Sequence, residues 1–213
     1  MLSRKWIAAA ALVAGTSSVA HAGYIDTTFT SGMTTQVAGA TTYDFDSGVK
    51  PDGYGGAGAV LTNSVSGMAA APAGDSTAFL SVAYPSSSGT ETFLAAPGQQ
   101  YNYFGLYWGS IDDYNWIKFY DGSTLLGTVT GTDVIQAGAQ LGDQMAPGSN
   151  RYVNFVLNDM SFNKIEFGTS NFAFESDNHA MAAVPEPGVL ALVFAAFGAL
   201  FLMRRRRTAD LTF

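Results

Sequence analysis

The sequence predicts an all-β protein: a single β-sandwich, jelly-roll-like, flanked by an N-terminal signal peptide and a C-terminal transmembrane helix. Two observations carry the fold. Between residues 23 and 183 no stretch keeps a helical period, whereas short alternating runs of apolar and polar residues recur between clusters of Gly, Ser, Asn and Asp. The chain is also rich in strand-favouring aromatic residues, with 15 Phe, 10 Tyr and 3 Trp. Many short strands with one apolar face each bury that face by packing two sheets together, with a small barrel as the alternative.

The first element is the leader. Arg4 and Lys5 supply a charged start, Trp6 to Val13 an apolar core, and Ala20-His21-Ala22 a small-x-small cleavage site. This is the pattern of a secretory signal peptide handed to the Sec translocon and cut after Ala22. Residues 1–22 are therefore set apart, and the sandwich is expected over 23–178.

Within it, Thr41 to Phe45, Ala78 to Ala83 and Tyr101 to Trp108 read as strands. Trp116 to Tyr120 leads through Asp121-Gly122-Ser123 into Thr124 to Thr130, the clearest hairpin signal in the chain. Lys118 must face solvent there, which turns Ile117 and Phe119 inward. The same parity places Val153, Phe155 and Leu157 inside with Asn154 outside, and Ile165 and Phe167 inside with Lys164 and Glu166 outside. Phe172 and Phe174 continue the inward series. Gly127 inside its strand marks a bulge or a close approach. Residues 47–77, rich in Gly, Ala and Ser, read as a long loop or irregular strands laid over the sandwich.

Composition excludes several classes of function. The whole chain has 10 basic and 17 acidic residues, but between Gly23 and Val184 only Lys50, Lys118, Arg151 and Lys164 oppose fifteen acids, a formal charge of −11. So acidic a surface disfavours nucleic acid and anionic lipid. There is no cysteine, so disulfides, thiolate nucleophiles and cysteine-held metals are excluded. His179 is the one histidine beyond the leader, which rules out a histidine-rich zinc site in one chain. No nucleophile elbow or phosphate loop occurs, and the adjacent Asp112 and Asp113 point in opposite directions on an extended backbone. The sequence therefore predicts no enzyme.

Two sets of residues remain as candidate sites. Trp108, Asp112, Asp113, Tyr114, Asn115 and Trp116 combine flat aromatic faces with carboxylates and an amide, the equipment for stacking on a sugar and bonding its hydroxyls. Asp44 and Asp46 near the end of an early strand, with Glu175, Asp177 and Asn178 in the closing segment, offer the oxygen ligands that calcium takes. No other cofactor is suggested, and calcium itself is not demanded by a complete loop pattern.

The chain closes with a linker at 179–184, an apolar segment and basic block within 185–207, and a short tail at 208–213. Val184-Pro185-Glu186-Pro187 is stiff and extended, because each proline fixes φ and restrains the residue before it. Gly188 to Met203 spans about 24 Å as a helix, short against a hydrocarbon core of about 30 Å. Arg204, Arg205, Arg206 and Arg207 hold the cytoplasmic side under the positive-inside rule. Motif, span and basic block in this order resemble the PEP-CTERM sorting signal. That resemblance implies recognition in the inner membrane by an exosortase, removal of the tail, and delivery to the cell surface or an exopolysaccharide matrix. Phe104 to Asn115, with Phe119-Tyr120-Asp121-Gly122, also resembles a recurrent block in one group of exosortase-dependent surface proteins, which implies a shared domain and no activity. The expected role is structural or adhesive, in contact with exopolysaccharide. A carbohydrate-binding module with a defined sugar site is the alternative, and a polysaccharide hydrolase stands third.

Overall fold

Alternation along the strands builds two antiparallel sheets around one aromatic core. The computed structural model describes residues 23–184, with Phe197 alone beyond them. Ala20 and Ala22 of the leader, Pro185, Glu186 and Pro187, and Arg204 to Arg207 lie outside the described residues. Among the described residues no helix is long and apolar enough to cross a membrane, and of the segment expected to do so only Phe197 is among them.

The larger sheet has seven strands. β1 (Tyr24–Thr30) pairs with β10 (Arg151–Asn158), β10 with β7 (Tyr103–Gly109), and β7 with β12 (Phe174–Ala182). β12 continues to β5 (Phe79–Val82) and β4 (Gly58–Leu61), and also pairs with the short β2 (Thr41–Tyr43). The smaller sheet runs β3 (Tyr54–Gly56), β6 (Gly89–Leu94), β11 (Lys164–Thr169), β8 (Asn115–Asp121) and β9 (Thr124–Thr130). A single turn of helix, α1 (Gly131–Val134), follows β9.

The inward parity expected for the central strands holds. Ile117, Phe119, Val153, Phe155, Leu157, Ile165, Phe167 and Phe174 all enter the core. The expected hairpin joins β8 to β9 through Gly122 and Ser123, and the register slips between Phe119 and Tyr120, leaving Leu126 as the extra residue beside Gly127. A side chain at Gly127 would meet Ile25 at 2.6 Å, so bulge and close approach coincide there.

Three expectations are corrected. Phe172 does not continue the inward series; it sits half-buried in the turn before β12. The sandwich does not end at residue 178, because β12 runs on to Ala182. His179 therefore lies in a strand, and residues 179–182 are not linker. Its ring is fully buried, bonded through Nδ1 to the Tyr54 hydroxyl at 2.8 Å and through Nε2 to Ser176 Oγ at 2.9 Å. Burial lowers its pKa to about 3, so the imidazole is neutral at physiological pH. Even Val184 is tied down: its N–H donates to Asn102 Oδ1 at 2.6 Å, and its carbonyl accepts from Asn102 Nδ2 at 2.7 Å.

The outer face of the larger sheet is covered rather than solvated. Residues 62–78, between β4 and β5, cross it as a strap. The strap passes so close to the end of β7 that a side chain at Gly109 would meet Pro72 at 2.8 Å. Three side chains hold it: Tyr107 donates its hydroxyl to the Ala73 carbonyl at 2.7 Å, Asn150 Oδ1 accepts from the Ala73 N–H at 3.0 Å, and Glu175 Oε1 accepts from the Ala70 N–H at 2.9 Å. Both sheets, the core and this cover are formed within residues 23–184, which makes that segment a self-contained fold.

Candidate functional site

At one end of the larger sheet the strap, the loop after β7, residues 142–144 and the turn before β12 enclose a cleft of about 500 Å³. Its polar side chains come from separate places in the chain: Ser64 and Ser66 from the strap, Ser110, Asp112 and Tyr114 after β7, Gln144 from the loop before β10, and Glu175 from β12. The register that sets β12 beside β7 pairs Glu175 with Gly109. That pairing brings Glu175 to Ser110, whose hydroxyl donates to Glu175 Oε2 at 3.0 Å. Ser110 itself takes a positive φ of 38°, and its N–H is held by Asn150 Oδ1 at 2.9 Å.

Glu175 is 2% exposed, and among the described residues no cation pairs with it. Burial pushes its pKa up to about 7, against the lowering effect of the bonds from Ala70 and Ser110, and Asp112 adds a further push upward. Asp112 is raised as well, first by burial, with Tyr114 opposing and Asp113 assisting. Tyr114 explains the local arrangement. Its hydroxyl lies 2.5 Å from Asp112 Oδ2 and 2.6 Å from the Phe172 carbonyl. One phenolic hydrogen is thus shared between two acceptors. Burial and Asp112 together raise the phenol itself well out of the physiological range. Gly142 closes this corner: a side chain there would meet Asp112 Oδ1 at 2.7 Å, and its φ is +69°.

The structure divides the six sugar candidates. Asp112 and Tyr114 come together in the cleft, and Asp113 stands exposed beside it. Trp108 offers no stacking face, because inward parity on β7 buries it completely against Phe174, ring centroids 4.6 Å apart. Asn115, 1% exposed, shares the inward face of β8. Trp116 lies on the opposite side of the molecule, over Gly168 on the outer face of the smaller sheet, with Lys118 Nζ 5.5 Å from its ring.

The calcium candidates are divided too. Glu175 belongs to the cleft. Asp44 is exposed and turns back to accept the Asp46 N–H at 3.2 Å. Asn178 Nδ2 donates to Asp177 Oδ2 at 2.9 Å. Asp46 remains near enough to Asp177 to raise that residue's pKa. Among the described residues no three acidic or histidine side chains are arranged to hold a metal ion.

Sequence reasoning missed Ser110, Gln144 and the strap serines, whose types are common in any loop. Glu175, a calcium candidate in the sequence, is placed by the structure in this cleft with Ser110. Chemically the cleft presents hydroxyls and two carboxyl groups of differing proton affinity, a set suited to exchanging hydrogen bonds with a neutral polar ligand. No known protein family matches the chain, nor does any curated protein or solved structure.

Proposed function

We propose that this is an exported surface or matrix protein of the PEP-CTERM kind, processed by an exosortase after transient residence in the inner membrane. On this reading its sandwich binds neutral extracellular polysaccharide, and the work is adhesive or structural rather than catalytic. The leader ending at Ala22 and the ordered Pro-Glu-Pro, apolar and arginine blocks support the route. The jelly-roll reading is supported by strand order. Taking β5 to β12 as eight strands, one sheet contains the sixth, third, eighth and first, and the other the second, seventh, fourth and fifth.

The observation that carries the binding role is the cleft with Glu175 and Asp112 at its wall and, among the described residues, no basic side chain lining it. Sugar hydroxyls can donate to these carboxyl groups and to Ser110 Oγ, and accept from the Gln144 amide. Recognition is then by hydrogen bonding, without the tryptophan platform expected from the sequence. A glycan array on the segment Gly23–Val184, followed by titration of any hit, tests this. Binding that is lost in both Glu175→Gln and Asp112→Asn supports it, and a blank array or variants that bind unchanged would remove the cleft from consideration.

Two carboxyl groups in one cleft are also what glycoside hydrolysis needs, and that specific feature favours a hydrolase as the second reading. Release of reducing ends from a bound polysaccharide, abolished by either substitution, would move the assignment to it.

A further inference from the structure

Along β12 the side chains of Glu175 and Asp177 emerge on the same outer face, and both meet the strap. Glu175 is satisfied there by a backbone N–H and a hydroxyl. Asp177 is not. It is completely buried, and the Thr77 hydroxyl, 2.7 Å from Asp75 Oδ1 and 3.5 Å from Asp177 Oδ2, links it to another acid, Asp75 of the strap. Asp177 Oδ1 and Asp75 Oδ2 are both buried with no donor. The remaining oxygens are occupied: Asp75 Oδ1 accepts from the Thr77 N–H at 2.9 Å and the Thr77 hydroxyl at 2.7 Å, and Asp177 Oδ2 from Asn178 Nδ2. Two carboxylates thus lie about one hydroxyl where the end of the strap meets the sheet, each with a buried oxygen that no donor reaches.

Among the described residues no cation offsets them. Lys50 is paired with Glu91 and Lys118 with Glu166; Arg151 lies over the Phe29 ring and Lys164 over the Tyr120 ring. Asp46 adds a third negative charge acting on Asp177. A proton shared between Asp75 and Asp177 would neutralise only one of these charges; a divalent cation neutralises the pair.

We infer that Asp75 and Asp177 form a cation-binding clasp, taken by a hard divalent ion such as calcium, which fastens the strap to β12. The groups at the contact are all oxygens, which suits calcium or magnesium and not a soft metal. Thr77 stands at the contact as an adjacent hydroxyl. With two carboxylates as the only charged ligands, the dissociation constant falls in the range of extracellular modules, about 0.1–1 mM. The clasp replaces the calcium group expected from the sequence, sharing Asp177 with it and adding Asp75. It does not depend on the sugar reading of the cleft.

The test is thermal unfolding of the segment Gly23–Val184, near neutral pH, in chelator and in about 10 mM calcium or magnesium. Calcium is expected to raise the melting temperature by about 3–6 °C. Asp75→Asn and Asp177→Asn should abolish that rise, and Asp44→Asn, at the exposed acid nearby, should keep it. Terbium emission sensitised by neighbouring tyrosines, Tyr107 being next to Asp75, gives a second measurement on the unaltered domain should either variant fail to fold. Emission displaced by calcium supports the clasp. A melting temperature indifferent to both ions, or terbium that gives no sensitised emission, overturns it. Asp177→Asn more stable than the parent in chelator, with no calcium response in either, would show that the two acids share a proton instead.

Discussion

The two faces of the seven-stranded sheet are equally buried and have opposite chemistry. On the inner face Phe104, Leu106, Trp108, Phe155 and Phe174 pack against the smaller sheet, and position follows from parity alone. On the outer face Tyr103, Tyr107, Asn154, Glu175 and Asp177 are hidden just as thoroughly, but under loops. Tyr103 donates to Asn154 Oδ1 at 2.7 Å and meets the Thr35 hydroxyl at 2.7 Å, while Tyr107, Asn150 and Glu175 hold the strap. Burial on the inner side stabilises by removing apolar surface from water. Burial on the outer side is tolerable only where each polar group finds a partner. The cleft and the Asp75–Asp177 contact lie where that requirement is met awkwardly or left open.

Substitutions can break this contrast or sharpen it. The largest effect is expected on the inner face: Trp108→Ala should cost about 3–5 kcal/mol in chemical denaturation. A cost below about 1 kcal/mol would mean that the tryptophan is not the core residue described. Next comes Glu175→Gln, read as stability against pH. Glu175 holds its proton more tightly in the folded chain than in the unfolded one, so its contribution is full below about 4.5 and is lost as pH rises through about 7. The parent should therefore lose stability across that window, by an amount on the order of 1–3 kcal/mol. Glu175→Gln should remove that slope and be the more stable of the two above pH 7. Parallel pH profiles would show that Glu175 ionises normally.

Asn150→Ala tests the strap. It leaves the N–H groups of Ala73 and Ser110 without their acceptor, and should cost about 1–3 kcal/mol with faster proteolysis within residues 62–78. Unchanged cleavage there would mean that the cover is held by something else. The smallest effect belongs to Gly142→Ala, which asks for a left-handed conformation and a crowded Asp112, at a cost of about 1–2 kcal/mol. Its value is as a probe of the cleft, since ligand affinity should fall more than stability does.

The inner face was legible in the sequence because Lys118, Lys164 and Glu166 mark the solvent side and fix the parity of their neighbours. β1 went unseen: Asp26-Thr27-Thr28 gives a half-exposed edge strand with one paired side, and its apolar residues are too few to announce a period. β12 went unseen for a more instructive reason. Glu175-Ser176-Asp177-Asn178-His179 is polar throughout, and polar runs ordinarily read as loop. It is a buried strand because the strap covers one side, because His179 finds Tyr54 and Ser176 on the other, and because a break in register after Asp177 resets which side chains point in. Asp112 and Tyr114 are two residues apart and could be proposed as partners from sequence. Glu175 joins them only through strand order, which local pattern does not encode.

The attachment of Val184 to Asn102 bears on how the domain carries load. Any tension entering from the C-terminal side is first taken by that two-bond grip and then by β12, nine residues long. β12 is bonded to β7 along one edge and to β5 and β2 along the other. Bonds of an antiparallel ladder lie across the strands, so a pull along β12 loads them together in shear rather than opening them one at a time. Tethered by this end, the domain resists being unravelled from its point of attachment, and its mechanical lifetime is set by the rate at which the central ladder gives way as a unit.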